Sequence, residues 1–350
     1  MSSKLFDKIY GCLLGGLIGD AIGGPSECMT WQEIEEKFGW IDSFEGCGTD
    51  DTVIKMILTD AIMKNQGNVT ADEWAEAFLE KQFTFYPLYY APIRNMYHKL
   101  ENEETLPVYA GIGNSPSSSS AMAIAPMGII NACNPRRAAA ETYDLAGMIH
   151  QGETTFCRDG ACAVAVAIAE ALTPNTTVDS VVNAATAYLH KKSSRELIGL
   201  IQKSVDAVRS GMEYKEYRNW FYKNCLYPVL CDSRETIPAA LAIFLLAEGD
   251  FETVAGYAAN LGRDSDTIGT IAGAIAGAFY GASAIREDWV KQIETYYNTM
   301  QGISSSQSEY QAVPEIQVPD YKELTNQFIQ IIRGRSEEQK KVQNMLEVMM

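Results

Sequence analysis

The sequence contains three histidines, and its eight cysteines form no CxxC pair and no other spacing typical of a zinc finger. A cysteine-ligated zinc module is thereby excluded, and the cysteines are interpreted as reduced thiols in the core. Positive charge is also scarce, because 28 lysines and arginines stand against 45 aspartates and glutamates, a net charge of -17. Nucleic acid and anionic membranes are therefore not expected as partners.

Signals for membrane insertion and for β-structure are equally weak. The first residues lack a basic segment followed by an unbroken apolar stretch, and Asp20 interrupts the long apolar run near the N-terminus. We therefore expect a cytoplasmic protein with no membrane anchor. Alternating β-branched runs are nearly absent, whereas apolar residues recur with a period near 3.6, which predicts an all-α fold. Helices are predicted at roughly 4–22, 51–65, 71–81, 119–132, 136–149, 159–172, 178–190, 194–209, 236–248, 251–260, 266–282 and 286–300.

Three segments are expected along the chain. Residues 1–301 form a helical domain, residues 302–320 are rich in serine and proline and form a linker, and residues 321–350 form an amphipathic helical tail. Within the tail, Gly334 is expected to end one helix before a short last one begins. The tail is expected to dock on the body or on a neighbouring subunit. Capping residues are predicted at Thr70, Ser194 and Asp250.

Two series of glycines at four-residue spacing occur near opposite ends of the helical region. Glycine at this spacing gives a helix a smooth face on which another backbone packs closely. Because interior glycine costs about 0.5–1 kcal/mol relative to alanine, the two series indicate a packing requirement. We predict that both helices meet in the core and bring Asp20, Glu27 and residues 264–267 toward one site; the alternative is loose packing unrelated to a site. The series are Gly11, Gly15, Gly19, Gly23 and Gly269, Gly273, Gly277, Gly281.

Each series adjoins an acidic cluster that also contains threonine. Residues 49–51 read Thr-Asp-Asp and precede the apolar stretch 53–58, and residues 264–267 read Asp-Ser-Asp-Thr and precede the uncharged run 268–280. Buried carboxylates need compensating charge, and Arg263 is the single basic residue that adjoins either cluster in sequence. Carboxylates and hydroxyls without histidine or cysteine form an oxygen ligand set that suits magnesium, manganese or calcium rather than zinc.

Other interpretations of the acidic clusters make different demands on spacing. An EF-hand loop starting at Asp264 would need glutamate at its twelfth position, where the chain has Ile275, so this interpretation fails. A phosphatase of the aspartyl-nucleophile type would need a buried strand before the cluster, whereas a helical segment precedes it. A purely structural role, in which the aspartates cap helices, stays open for either cluster alone.

Six ordered motifs resemble those of the ADP-ribosylglycohydrolase family, which includes the dinitrogenase-reductase-activating glycohydrolases, the ADP-ribosyl-acceptor hydrolases and the J1 crystallins. The resemblance spans roughly residues 7–285 and implies an all-α, orthogonally packed single domain with a two-metal cleft, the metals usually being magnesium or manganese. It also implies hydrolysis of an N- or O-glycosidic bond at the anomeric carbon of an ADP-ribosyl group. The motifs are GCLLGGLIGDAIGGPSE near the N-terminus, GTDDT at 48–52, SSAMAIAPMGII at 119–130, the histidine in Ile149-His150-Gln151, ETIPAALAIFLLA at 235–247 and GRDSDTIGTIAGAIAGAFYG at 262–281.

Matched position by position, the resemblance also implies roles for individual residues. Glu27 matches a mobile-loop glutamate and is the acid/base candidate, with Asp50 and Asp266 as further catalytic residues. The implied metal ligands are Thr49, Asp50, Asp51, Asp264, Asp266 and Thr267. The implied substrate-binding residues are Asn114, Ser118, Ser119, Ser120, Met122 and His150.

The chain departs from the family pattern next to the serine-rich loop. Ala123 stands where the family commonly has arginine, so the substrate is less closely defined than the bond that is cleaved. An ADP-ribosylated protein or a small riboside such as a nucleoside is the expected substrate, and a catalytically silent, crystallin-like binding protein is the alternative. The protein is expected to be a monomer or a small homo-oligomer. Aromatic residues at 83, 85, 86, 89, 90 and 97 form either a cleft wall or part of the core.

Overall fold

The computed structural model describes residues 3–46, 48–300 and 319–350, and this part of the chain contains seventeen α-helices and no β-strand. The predicted all-α class is confirmed. The helices are α1 (Lys4–Gly23), α2 (Trp31–Phe38), α3 (Asp50–Lys64), α4 (Ala71–Glu80), α5 (Ala91–Glu101), α6 (Ser119–Met122), α7 (Ala125–Ile130), α8 (Pro135–Ala146), α9 (Thr155–Ala171), α10 (Val178–Ala187), α11 (Arg195–Arg209), α12 (Tyr214–Asn224), α13 (Ser233–Leu246), α14 (Phe251–Ala259), α15 (Ser265–Tyr280), α16 (Glu287–Met300) and α17 (Tyr321–Met349).

Helices α1 and α15 form the central pair of the fold, and they pack where the two glycine series predict. A Cβ placed on Gly15 would overlap the carbonyl oxygen of Gly273, and one placed on Gly273 would overlap that of Gly15. Gly19 meets Gly269 in the same way. Because residue numbers rise along one helix as those of their partners fall along the other, the two helices run antiparallel. The N-terminus of α15 therefore lies beside the C-terminus of α1.

The remaining helices surround this pair. Helix α15 packs against α9, α13 and α14, and α1 packs against α14 and α17. Nearly every side chain of α1, α9, α13 and α15 is buried, which explains why these helices are apolar on all faces rather than on one. Polar groups on the first turns of such helices are held in place by a rigid core.

Several local predictions need correction. The expected helix at 119–132 is two helices, α6 and α7, and Pro126 lies in the first turn of the second. Helices α2, α5 and α12 were not predicted. Thr70 and Asp250 cap their helices as expected, but the side chain of Ser194 makes no capping hydrogen bond.

Helix α17 is continuous through Gly334, so the predicted break in the tail is wrong. Arg335, the next residue, is buried and donates to both carboxylate oxygens of Glu141 at 2.7 Å. This anchor outweighs the cost of about 1 kcal/mol for one interior glycine. Leu324 and Phe328 are also buried, so the first half of α17 docks on the body. The predicted linker at 302–320 lies outside the described residues except for its last two positions.

The cysteines only partly match their interpretation as core thiols. All seven described cysteines are free; Cys12, Cys157, Cys162 and Cys225 are buried, whereas Cys28 and Cys133 are exposed. Cys47 lies outside the described residues. Among the helices that the structure describes, none is both long and apolar enough to cross a bilayer.

Candidate metal centre

The first turns of α3 and α15 meet at a cavity of about 560 Å³. The C-terminus of α1 lies beside the start of α15 and leads into the turn that carries Glu27. The central helix pair therefore places this turn next to the first turn of α15. Further walls come from α6, from the segment before and within α5, and from the loop before α13. The lining residues are Glu27, Cys28, Asp50, Asp51, Leu88, Tyr89, Tyr90, Arg94, Ser118, Ser119, Met122, Pro228, Val229, Leu230, Cys231, Asp264, Asp266 and Thr267.

The two acidic clusters are joined by a reciprocal pair of hydrogen bonds. The hydroxyl of Thr49 donates to Asp266 at 3.3 Å, and the hydroxyl of Thr267 donates to Asp51 at 3.3 Å. Each cluster thus contributes a threonine that contacts an aspartate of the other. The structure thus brings together residues that lie more than two hundred positions apart in the sequence.

Asp20 of α1 holds the first cluster in position through hydrogen bonds. Its fully buried carboxylate accepts hydrogen bonds from the backbone N–H groups of Thr49 and Thr52, both at 3.0 Å, and from their hydroxyls at 2.8 and 2.5 Å. These four donors fix the start of α3 against α1. Asp20 does not line the cavity, so its role is to position the residues that do.

The carboxylate of Asp264 is not used to cap α15. It accepts hydrogen bonds from Ser118 at 2.9 Å and Thr236 at 2.7 Å, and it makes no capping bond to the helix. In α3 the capping bond comes from Thr49, whose hydroxyl accepts from the N–H of Asp51. Asp266 accepts from the N–H of Thr267 at 2.9 Å in the first turn of α15, so helix-end bonding accounts for part of the second cluster only.

Carboxylate oxygens in the cavity fall into two groups that each suit a cation. Glu27, Asp264 and Asp266 offer oxygens within 4.8 Å of one another, and so do Asp50, Asp51 and Asp266. Asp266 belongs to both groups. One carboxylate oxygen of Asp51 is buried without any hydrogen-bond partner. An orphaned buried oxygen in an all-oxygen set is the environment that a hard divalent cation satisfies.

The carboxyl groups of the cavity have raised pKa values, because burial disfavours their ionised forms. Burial raises the pKa of Asp50 to about 7 and that of Asp264 to about 7. Burial and the neighbouring charge of Asp264 raise the pKa of Asp266 well above its usual range. Partial desolvation and the charge of Asp20 also raise the pKa of Glu27. Without cations, the folded protein therefore binds protons in this cavity that the unfolded chain releases.

The stability of the metal-free protein is expected to depend on pH with a definite sign. The carboxyl groups of Asp50 and Asp264 have an ordinary pKa of 3.8 and a folded pKa of about 7, so their ionisation weakens the folded state. In the presence of EDTA, the urea midpoint should fall as pH rises from about 4 to about 7. A saturating divalent cation should remove this fall, and a midpoint that rises through the same window without metal would contradict the pKa assignment.

From the sequence, Arg263 was the single basic residue next to either cluster, but the structure places a different basic residue, Lys55, near the carboxylates. Arg263 faces away from the cavity, because its guanidinium pairs with Glu235 at 2.6 and 3.0 Å. Lys55, one turn after Asp51 in α3, is buried, and its ammonium group has no hydrogen-bond partner. Burial lowers the pKa of Lys55, and the charges of Asp20 and Asp51 oppose that shift. Lys55 is thus a buried basic group close to the first cluster that sequence reasoning missed, although its four-residue spacing from Asp51 was visible.

The predicted substrate-binding residues divide into two sets. Ser118, Ser119 and Met122 line the cavity as expected. Asn114, Ser120 and His150 lie behind its wall, where they are buried.

Hydrogen bonds explain why this second set does not reach the cavity. His150 lies between Ser117 and Ser120, with both hydroxyl-to-ring distances at 2.9 Å, and burial lowers its pKa to about 3, so the ring is neutral. Asn114 donates to the carbonyl groups of Pro92 and Ile149. These contacts support the serine-rich loop from behind.

The aromatic run belongs partly to the cavity and partly to the core. Tyr89 and Tyr90 line the cavity, and Tyr90 is exposed. Tyr97 is buried, and Tyr86 packs between Tyr89 and Tyr97 with ring centroids 6.2 and 6.0 Å away. The side chain at position 83 lies outside the described residues.

Comparison with known proteins agrees with this fold and with the acidic cavity. The family model described as ADP-ribosylglycohydrolase matches residues 1–317. The uncharacterized protein YegU of Escherichia coli K12 is 28% identical over 312 residues, which covers 80% of this chain and 89% of YegU. ADP-ribosylhydrolase ARH3 of Mus musculus is 23% identical over 343 residues, covering 85% and 90%. A solved structure titled ADP-ribosylglycohydrolase-related protein complex superposes with a TM-score of 0.65 at 19% identity, covering 94% and 98%.

An all-α chain matched along most of its length in this way is a glycosidic-bond hydrolase. It belongs to the ADP-ribosylglycohydrolase family, and its activity is of the ADP-ribosyl type. Two of the six motifs that carry the resemblance, GTDDT at 48–52 and GRDSDT at 262–267, supply Asp50, Asp51, Asp264, Asp266 and Thr267 to the cavity lining.

Proposed function

We propose that this chain is a hydrolase that depends on two divalent cations, Mg²⁺ or Mn²⁺, and cleaves the N- or O-glycosidic bond at the anomeric carbon of an ADP-ribosyl group. The proposal rests on the two groups of carboxylate oxygens described above, to both of which Asp266 contributes. Thr49 and Thr267 add hydroxyl oxygens beside these groups. Membership of the family and similarity to an ADP-ribosylhydrolase support the choice of substrate.

The residues of the cavity have distinct tasks in this proposal. Bound divalent cations would supply positive charge that holds ribose hydroxyls and lowers the pKa of water. Asp50, Asp51, Asp264 and Asp266 would hold those cations. Asp50 and Asp266 would also stabilise positive charge that develops on the ribose ring as the glycosidic bond breaks.

Glu27 is the residue best placed to move a proton. It is exposed, and it follows a turn fixed by the buried Ser26, whose hydroxyl donates to the carbonyl of Ala259 at 2.7 Å. A general acid must carry a proton to donate to a leaving group. In the protein without cations, burial and the charge of Asp20 raise the pKa of Glu27. We assign this role to Glu27 and expect it to take up a proton from water in the following step.

One observation keeps a second substrate class open. The hydroxyls of the serine-rich loop are engaged within the protein, since Ser117 and Ser120 contact His150 and Ser118 donates to Asp264. A pyrophosphate would therefore meet fewer free hydroxyls than the run of serines suggests. A nucleoside or another small riboside needs no such contacts and is the alternative substrate.

A substrate panel separates these possibilities. With Mg²⁺ or Mn²⁺, we expect turnover of ADP-ribosyl-arginine or an ADP-ribosyl-serine peptide, loss of turnover in EDTA and recovery when metal is restored. The free ADP-ribose released is measured by chromatography. Turnover confined to nucleosides would favour the second class. Absence of turnover of every riboside, with metal bound, would rule out both and leave a silent binding protein.

A further inference from the structure

Arg94 is the one cationic side chain among the described residues that line the cavity. It lies on α5, on a different wall from the two acidic clusters. No acidic motif or glycine series adjoins Arg94 in the sequence. Its position matters because the rest of the polar lining consists of acidic groups, hydroxyls and thiols.

The guanidinium of Arg94 is held in place without an ion pair. It lies 5.5 Å from the ring centroid of Tyr86, and its Nη2 donates to the carbonyl of Pro87 at 3.1 Å. Within the described part of the chain, no carboxylate forms a salt bridge with it. Arginine has five N–H donors, so most of them stay available.

Arg94 is unpaired at a cavity whose lining is acidic, in a chain where acidic residues outnumber basic ones by 17. Other arginines near the cavity have carboxylate partners: Arg263 pairs with Glu235, and Arg234 pairs with Asp232. Arg94 is also exposed, so a ligand can reach it. A guanidinium that contacts the Tyr86 ring and donates once to a carbonyl keeps further N–H donors, which can bind a phosphate group in pairs.

The neighbouring loop does not supply this recognition through its side chains. The hydroxyls of Ser117, Ser118 and Ser120 are engaged internally, and Ala123 is fully buried in place of the family's arginine. Among the described side chains that line the cavity, Arg94 is therefore the one that can add positive charge to that of the proposed cations.

We propose that Arg94 recognises the phosphate groups of the substrate and so makes this enzyme prefer phosphorylated ribosides over neutral nucleosides. The inference rests on the proposed function, since it concerns the substrate of the same cavity. Arg94 acts as a specificity-determining residue that binds the substrate away from the bond that is cleaved. The exposed Tyr90 next to it offers a ring face to the base.

The test measures binding of ADP-ribose by calorimetry in the presence of Mg²⁺ at low and high salt. Arg94→Met should weaken binding about 10- to 100-fold, the usual effect of removing hydrogen bonds to a charged group. The variant should also lose much of the salt dependence. Arg94→Lys should keep the salt dependence and recover part of the affinity, because lysine retains the charge but not the planar pair of donors.

Controls separate recognition from folding. Arg333→Met removes an exposed arginine of α17, far along the chain from the cavity residues, and should bind ADP-ribose as the unsubstituted protein does. Arg94→Met should keep the rise in melting temperature that Mg²⁺ produces, and with an ADP-ribosyl-serine peptide it should raise KM more than it lowers kcat.

The outcomes are distinct. Unchanged ADP-ribose affinity in Arg94→Met, or loss of its response to Mg²⁺, would overturn the role of Arg94 while leaving the proposed function intact. An unsubstituted protein that neither binds ADP-ribose nor releases it from any substrate would overturn both proposals.

Discussion

Asp266→Asn is expected to abolish hydrolysis and to remove the stabilisation that divalent cations give. Asp266 contributes to both groups of carboxylate oxygens, so its loss weakens both candidate cation positions. Cations of this kind contribute several kcal/mol to catalysis, which corresponds to a loss of about 10³-fold or more in rate. The measurement is turnover of the best substrate at saturating Mn²⁺ or Mg²⁺.

The same substitution should have the opposite effect on the metal-free protein. Burial and the charge of Asp264 disfavour the ionised form of Asp266, so a neutral asparagine should raise the melting temperature in EDTA at pH 8. The expected pattern is a more stable metal-free protein that no longer responds to metal. A general loss of stability could not produce this combination.

Asp159→Asn provides a matched control. Asp159 is also a fully buried aspartate, but it accepts hydrogen bonds from His190 and Ser193 and does not line the cavity. This variant should keep both its activity and its response to metal. An Asp266→Asn protein that retained the metal-induced rise in melting temperature would show that the cations bind elsewhere.

Gly273→Leu and Gly15→Leu are expected to prevent folding or to destabilise the protein severely. At both positions even a Cβ would overlap the carbonyl oxygen of the facing helix. Overpacking in a core costs about 1–3 kcal/mol and sometimes more, and here the overlapping atom belongs to a backbone that cannot rotate away. The midpoint of urea denaturation, or the yield of folded protein, measures the effect.

Gly199→Ala is the corresponding control. Gly199 lies within α11, and a Cβ placed there meets no atom within 4 Å. Alanine should therefore stabilise this helix by about 0.5–1 kcal/mol. Full stability of both leucine variants would mean that α1 and α15 do not need their close approach.

The sequence predicted the structure well where a pattern of residues has few physical explanations. The glycine series predicted the contact between α1 and α15, because only a close backbone approach justifies repeated interior glycine. The acidic clusters predicted a shared site, because buried carboxylates need a common source of positive charge. Helices with strong apolar periodicity, such as α11, were placed to within a residue or two.

What the sequence did not predict depended on tertiary partners. Helix α12 contains five aromatic residues among charged ones, and its buried residues Tyr214, Tyr217 and Phe221 were not recognised as an apolar face. For α5, the helical spacing of Ile93, Met96, Tyr97 and Leu100 was visible in the sequence but was not used. The continuity of α17 depends on the contact of Arg335 with Glu141, which lies 194 positions away. For α2, the capping box formed by Thr30 and Glu33 was visible in the sequence but was not used.

In the site, too, some residues were predicted from sequence motifs, whereas others depend on tertiary contacts. Asp50, Asp51, Asp264 and Asp266 line the cavity as predicted from their motifs. The surroundings of Lys55 and Arg94 depend on the tertiary fold, and no pattern in the sequence indicated that Arg263 pairs with Glu235.

The most direct test of the two-cation centre is a crystal structure of the unsubstituted protein grown with Mn²⁺ and measured at the manganese absorption edge. We predict two anomalous peaks in the cavity, one against Asp50 and Asp51 and one against Asp264, with Asp266 contacting both. A single peak, or peaks that do not contact Asp266, would contradict it.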